Sequence, residues 1–206
     1  MLSRKPDRAW GHWALTSFNL LMASCFGAVV ADFCSRGLFN KMNFDDYREY
    51  GLKRILIELV IAVTHESVVE YYWHRLMHTR MFYATFHKLH HSYKSPEPFD
   101  DMYIHPLEAF GYYCILYSPP FLYSCHIYSF VSYMIIMGIC GIMDHSGVHF
   151  CIPNIYNTAD HDAHHAKFEV NYGFPFIFMD LLHGTFEGTL LSRQFSYPNP
   201  QISVQG

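Results

Sequence analysis

The sequence predicts an all-α protein: an integral membrane helical bundle of about four membrane helices, two of them forming a hairpin, with a cytosolic helical histidine-rich cap. Three observations carry this expectation. Of 206 residues, 51% are hydrophobic and 18% aromatic but only 16% are charged, against roughly 25% charged in an ordinary soluble domain. Two long stretches, 13–31 and 109–143, contain no Asp, Glu, Lys or Arg. Histidine, with 15 copies, outnumbers Lys and Arg together, at 14. A formal charge of −4 without a basic run leaves no electrostatic footprint for nucleic acid. The six cysteines form no CxxC pair, so neither a zinc ribbon nor a disulfide framework is indicated.

Residues 13–31 provide 19 uncharged positions, close to the roughly 20 that cross a bilayer as a helix. That is longer than the roughly 7–15 apolar residues of a cleaved signal, so the stretch reads as a first span within an anchor-and-loop region, 1–54. A second helix runs from Ile55 towards His78 and carries Glu58, His65, Glu66 and Glu70. A carboxylate at mid-bilayer costs about 2.5–3.5 kcal/mol, so these groups must face the protein interior or an aqueous edge. The 35 uncharged residues 109–143 exceed one crossing. Pro119 and Pro120 interrupt them, because proline lacks a donor and clashes with the preceding turn, and the stretch therefore folds as a hairpin turning near 118–125. A hairpin returns the chain to the face it left, so segments 73–108 and 144–192 share one side. Nine of the 14 Lys and Arg lie with these segments and the termini, against five in 32–54, which places the shared side in the cytosol. The catalytic unit is expected over 55–192, followed by a tail, 193–206.

Ten histidines fall in two windows. His74 and His78 are four apart, on one helical face; His87, His90 and His91 form HKLHH. The arrangement then returns as His145 and His149, followed by His161, His164 and His165. Imidazole suits iron, zinc, copper and nickel, and ten imidazoles exceed the needs of one four- to six-coordinate ion. The spacing favours two metals with about five histidines each. Glu66, Glu70, His74 and His78 follow at intervals of four, which makes Glu70 a candidate carboxylate partner of a metal-bound imidazole. Asp144, Asp160, Asp162 and Asp180 read as caps or surface charges. His105 reads as a structural hydrogen-bonding residue, His65 as a satisfied intramembrane histidine, and His12 and His126 as interfacial; the tyrosines and phenylalanines of 112–133 read as interface belt and helix packing.

The motifs HRLMH, HKLHH, DHSGVH and HDAHH, with His105-Pro106-Leu107-Glu108, Asn171-Tyr172-Gly173 and Leu182-His183-Gly184-Thr185, resemble the fatty acid hydroxylase/sterol desaturase superfamily over roughly 55–190. The resemblance implies a membrane-bound, histidine-rich, non-haem diiron oxygenase of the endoplasmic reticulum. Its metal ligands would be His74, His78, His87, His90, His91, His145, His149, His161, His164 and His165. It further implies two iron ions (zinc being able to displace them), dioxygen, a membrane lipid substrate, and electrons from cytochrome b5 and its reductase, drawing on NADH or NADPH. The chain itself has no GxGxxG fingerprint.

A reducible metal pair beneath membrane helices points to oxidation of a lipid C–H bond, giving a hydroxyl group or a double bond. The DHSG and HPLE elements favour a sterol or sterol-like lipid, with a fatty acyl or sphingolipid hydroxylase as the alternative. A membrane metal-binding or transport protein is the non-enzymatic alternative; it would place ligands near mid-membrane along a charged path. A zinc hydrolase would use HExxH, but His65-Glu66 is followed by Val69 rather than a histidine.

Overall fold

The computed structural model describes residues 10–94 and 96–188. The expected tail, the end of the 55–192 unit and the basic residues Arg4, Lys5 and Arg8 lie outside the described residues. The chain runs α1 (Trp10–Ser35), β1 (Met42–Asn43), α2 (Tyr47–Tyr50), α3 (Leu52–Met77) and α4 (Arg80–Thr85). Two 3-10 helices follow, His87–Ser92 and Pro98–Met102. Then come α5 (Pro106–Leu116), α6 (Pro119–Leu122), β2 (Cys125–His126) and α7 (Ile127–Asp144). The last part holds a small hairpin, β3 (Cys151–Ile152) and β4 (Tyr156–Asn157), and the short helices α8 (Thr158–Lys167) and α9 (Phe178–His183).

Local chemistry sets the boundaries. Gly51, at φ +96°, opens α3 in a conformation that favours glycine. His105 caps α5 by accepting from the Leu107 N–H at 3.2 Å, with Pro106 at the first helical position. Pro119 and Pro120 fall in the first turn of α6, so the break in the long apolar stretch comes at the prolines. α7 starts at Ile127 and runs back beside α3. The parallel pairing of β1 with β2 ties the loop after α1 to the turn before α7.

Two described helices, α1 and α7, are long and apolar enough to cross a membrane. α3 matches α1 in length, at 26 residues, but carries charged residues along it. α5 has 11 residues, about 16 Å of rise, roughly half a bilayer core. The polarity of the bundle is inverted relative to a soluble protein. α1 buries His12, Thr16 and Asn19 while exposing Phe18, Leu20, Leu21 and Val29. α7 exposes Val131, Ile135, Ile139 and Ile142 along one face.

α3 and α7 pack through Ala62, Val63, Tyr133 and Met137. α1 meets α5 through Phe26, Ala109 and Tyr113. Gly111 on α5 lets the Trp73 indole lie against the helix: a Cβ there would come within 2.2 Å of the ring. Asn19 ties α1 to the segment before α5, its Nδ2 donating to the Met102 and Ile104 carbonyls at 3.0 and 2.9 Å. His12 and His126 are buried instead of interfacial, because each has a polar partner inside. His12 lies 3.2 Å from Asp100, and His126 Nε2 donates to the Asp45 carbonyl at 3.0 Å. Asn19→Leu, which strands both carbonyls, is expected to lower stability by about 1–3 kcal/mol, read as a lower unfolding temperature in detergent; an unchanged melt would contradict the role of this tie.

Candidate metal centre

α3 ends with His74, one turn before its C-cap residue, His78. The 3-10 helix His87–Ser92 follows and brings its three histidines under the end of α3. α7 delivers His145 at its C-cap, and α8 carries His161, His164 and His165. Nine of the ten candidate histidines gather in two groups. His74, His78, His87, His91 and His164 each offer one nitrogen within 4.8 Å of all the others, and His90, His145, His161 and His165 do the same. The groups adjoin, with the His91 and His165 rings 4.6 Å apart. Each triplet is divided between them: His90 leaves His87 and His91, and His164 leaves His161 and His165. Both halves of the chain thus contribute to both groups.

His149 joins neither group and is exposed. The spacing of four would align it with His145 on a helix, but α7 ends at Asp144. The next residues turn through Gly147 at φ +69°, so the helical relation between positions 145 and 149 is lost.

Outward hydrogen bonds aim the rings. His74 Nδ1 donates to the Tyr172 carbonyl at 2.9 Å, His164 Nδ1 to the Val170 carbonyl at 2.7 Å and His145 Nδ1 to the Gly141 carbonyl at 2.9 Å. His87 Nδ1 pairs with the buried Glu108 carboxylate. A neutral imidazole has one N–H, so a donating Nδ1 leaves Nε2 as a bare lone pair. The Nε2 atoms of His87, His145 and His164 meet those of the neighbouring rings: His78 to His164 at 3.1 Å, His91 to His87 at 3.0 Å and His161 to His145 at 3.1 Å, with His91 also 3.2 Å from His78 and His165 3.0 Å from His161. Facing lone pairs repel unless a cation lies between them. With metal–nitrogen bonds of about 2.0–2.1 Å, ligands at right angles stand about 3 Å apart. His74 Nε2 is buried without a hydrogen-bond partner. The two groups could each hold a metal ion, and an all-imidazole donor set suits iron, zinc, copper or nickel.

The loop motifs explain themselves as supports for these rings. Asp180 accepts from the Tyr172 and Gly173 N–H groups at 2.8 and 2.7 Å and from the Thr185 hydroxyl at 2.7 Å. This presents the Tyr172 carbonyl to His74. A Cβ at Gly173 would lie 2.5 Å from the Asp180 carboxylate, so only glycine fits there. α8 stops at Phe168, φ +68°, and the turn brings the Val170 carbonyl back to His164. Asp180 is therefore a buried positioning residue, not a surface charge. Asp144 is also buried and accepts from the Tyr156 hydroxyl at 2.7 Å.

Glu70 does not partner His74, whose Nδ1 is taken by Tyr172. The carboxylate that holds a ring is Glu108, within the HPLE element, where the helix start at Pro106 points it at His87. His105 is the cap expected of it, His65 Nε2 lies 2.9 Å from the Ser118 hydroxyl, and His183 Nδ1 donates to the Met179 carbonyl at 2.9 Å.

A cavity of about 280 Å³ opens between α1, α3, α5 and α7. Its floor includes His90, His145 and His161 from the four-histidine group but only His74 from the other. Leu20, Leu116, Met134 and Met137 give it apolar walls, and Tyr112 and Tyr113 line it as well. These two tyrosines therefore do more than form an interface belt.

The family model for fatty acid hydroxylase matches residues 59–185. Human lathosterol oxidase is 31% identical over 150 residues, 69% of this chain and 50% of that protein. A Delta(7)-sterol 5(6)-desaturase of Gibberella zeae is 34% identical over 117 residues, 56% of this chain and 34% of that protein. Human fatty acid hydroxylase domain-containing protein 2 is 34% identical over 131 residues, 63% of this chain and 38% of that protein. The chain thus spans half or less of the length of these relatives. No solved structure matches.

Burial, and then repulsion from neighbouring imidazoles, hold His87, His90, His91, His161 and His164 well below the ordinary histidine value, and burial pushes His165 down to about 3. These rings stay neutral in the folded chain, whereas in the unfolded chain they protonate near pH 6.5. The unfolded state therefore binds more protons on acidification, so the stability they contribute is present above about pH 6.5 and falls below it. Chelator-treated protein is expected to melt at a lower temperature at pH 5.5 than at pH 7.5; the reverse order would contradict a neutral cluster.

Proposed function

Because the chain belongs to the fatty acid hydroxylase/sterol desaturase superfamily, we propose that it forms the catalytic part of a membrane-bound, dioxygen-dependent lipid hydroxylase or desaturase with a diiron centre. His74, His78, His87, His91 and His164 would hold one ion; His90, His145, His161 and His165 would hold the other. The carrying observation is the pair of inward-aimed imidazole groups opening on an apolar cavity between helices. A reducible metal pair supplies what no side chain can, activation of dioxygen for attack on an unactivated C–H bond.

The chain's own residues perform the remaining work. Tyr172, Val170, Gly141 and Glu108 hold the ring N–H groups and so fix which nitrogen faces inward. The apolar walls exclude water and admit a substrate from the bilayer. Because the four-histidine group forms most of the cavity floor, the oxidised carbon rests beside His90, His145 and His161. Hydroxylation consumes one dioxygen, two electrons and two protons and yields the alcohol and water; desaturation removes two hydrogens and yields an alkene and two waters. The electrons would come from cytochrome b5 and its reductase.

The substrate proposed is a sterol or sterol-like lipid. Its support is the set of relatives named for lathosterol oxidation and Delta(7)-sterol 5(6)-desaturation. α1, α3, the α5–α6 arm and α7 would form the membrane part, embedded in the endoplasmic reticulum with the histidines on the cytosolic face. The outward apolar faces of α1 and α7 support that setting.

Lipid profiles of cells expressing the chain with adequate electron donor should gain an oxidised lipid, and His90→Ala or His164→Ala should abolish it while lowering bound metal. His149→Ala should leave both unchanged. No lipid change with the unaltered chain, or full activity in both ligand variants, would overturn the reading. Glu108→Ala should weaken metal retention about 10- to 100-fold in a chelator titration; retention equal to the parent would remove Glu108 from the role assigned to it.

A further inference from the structure

Glu66 and Glu70 remain unused by the metal reading. Neither belongs to the two histidine groups, yet both line the cavity, and Glu66 is only 2% exposed. Tyr133, fully buried on α7, donates its hydroxyl to Glu66 Oε2 at 2.8 Å. Glu70 lies one helical turn from Glu66 on the same face of α3. Two carboxylates this close offer only acceptors, so they can bond each other only by sharing a proton. Among the described residues no lysine or arginine forms an ion pair with either group. Holding a carboxyl pair, one buried and one half-buried, in an apolar cavity without a counter-charge is costly, and Tyr133 answers only the Glu66 end.

The space beside the pair is open. Gly138 on α7 lines the same cavity, and a Cβ built there meets nothing within 4 Å. In the same enclosure His90, only 7% exposed, has an Nδ1 with no hydrogen-bond partner. The cavity thus has room for a molecule next to the buried Glu66 and the half-buried Glu70.

We propose that the Glu66–Glu70 pair, braced by Tyr133, is a polar anchor that hydrogen-bonds the hydroxyl group of a neutral lipid held in this cavity. This rests on the lipid-oxidising reading and narrows its substrate class. A half-protonated pair both donates and accepts, and so does an alcohol. A carboxylate or phosphate head would meet like charge and would be rejected. Glu70 lies four residues from His74, about 6 Å of helical rise. The anchored hydroxyl is therefore close to the histidine floor, and the oxidised carbon lies within a few bonds of it. A lipid oxidised far along an acyl chain from its polar group does not fit this arrangement.

The test is binding to the purified, metal-loaded chain in nanodiscs, using lathosterol, its 3-deoxy analogue cholest-7-ene, and oleate. Lathosterol should bind at least about tenfold more tightly than cholest-7-ene, because an anchor built for a hydroxyl rejects the analogue lacking it, and oleate should not compete. Glu70→Leu should bring lathosterol down to the affinity of cholest-7-ene with metal content unchanged, while Glu70→Gln, which still donates and accepts, should restore most of the preference. Equal binding of the two sterols by the parent chain overturns the anchor, whether or not the leucine variant folds, as does a preference that survives in Glu70→Leu. Dioxygen uptake measured on the same samples separates the two readings. Lipid oxidation without hydroxyl preference removes only the anchor, and hydroxyl preference without oxidation of any lipid removes only the oxygenase.

Discussion

Nine imidazoles share two small volumes, and four of them, His74, His87, His145 and His164, are fixed there by turning an N–H away from the middle onto an acceptor. The acceptors that permit it are three backbone carbonyls, of Tyr172, Val170 and Gly141, and one carboxylate, Glu108. They come from three parts of the chain: the loop after α8, the end of α7 and the start of α5. The loops around α8 and α9 can then be understood as supports for carbonyls: Asp180 holds the backbone of Tyr172 and Gly173, and the left-handed turn at Phe168 returns the chain to His164. Without these acceptors the rings would be free to choose the other tautomer, and the convergence of Nε2 atoms would have no cause.

The same constraint explains why the helices are polar inside and apolar outside. Where the surroundings are hydrocarbon, apolar residues gain nothing by turning inward, while unpaired polar groups lose heavily by facing out. α1 accordingly spends its inward face on His12, Thr16 and Asn19, and α3 spends its own on Glu58, Glu66, His74 and a histidine cap. The Glu58 carboxylate, at the end of α3 remote from the histidines, accepts from Tyr50 at 2.5 Å and from the His126 N–H at 2.8 Å, tying the α2 loop and the start of α7 to it. Polar ties thus close both ends of the bundle, and the apolar cavity is left between them.

The division of the histidines gives the two sites different surroundings. The four-histidine group faces the cavity, while His78 of the five-histidine group borders an outer groove with Arg75, Tyr83 and Glu169. Splitting each HxxHH triplet between the groups also couples them mechanically, since one short helix carries histidines of both.

Helical architecture, the break at Pro119 and Pro120, and the clustered histidines were all legible in the sequence, because helical periodicity, proline geometry and imidazole chemistry are local properties. The spacing of four from Glu66 to His78 likewise placed carboxyls and imidazoles on one stripe. Which carboxylate meets which ring was not legible: Glu108 reaches His87 across 21 residues, and the His74 Nδ1 meets the Tyr172 carbonyl although Glu70 lies one turn away. The exclusion of His149 depended on where α7 stops, and the burial of His12 and His126 on partners distant in the chain. By itself the sequence determined that imidazoles would gather beside apolar helices. Only the tertiary structure decided how they divide, which one stays outside and which acceptors aim them, because those outcomes follow from contacts between segments that no spacing along the chain encodes.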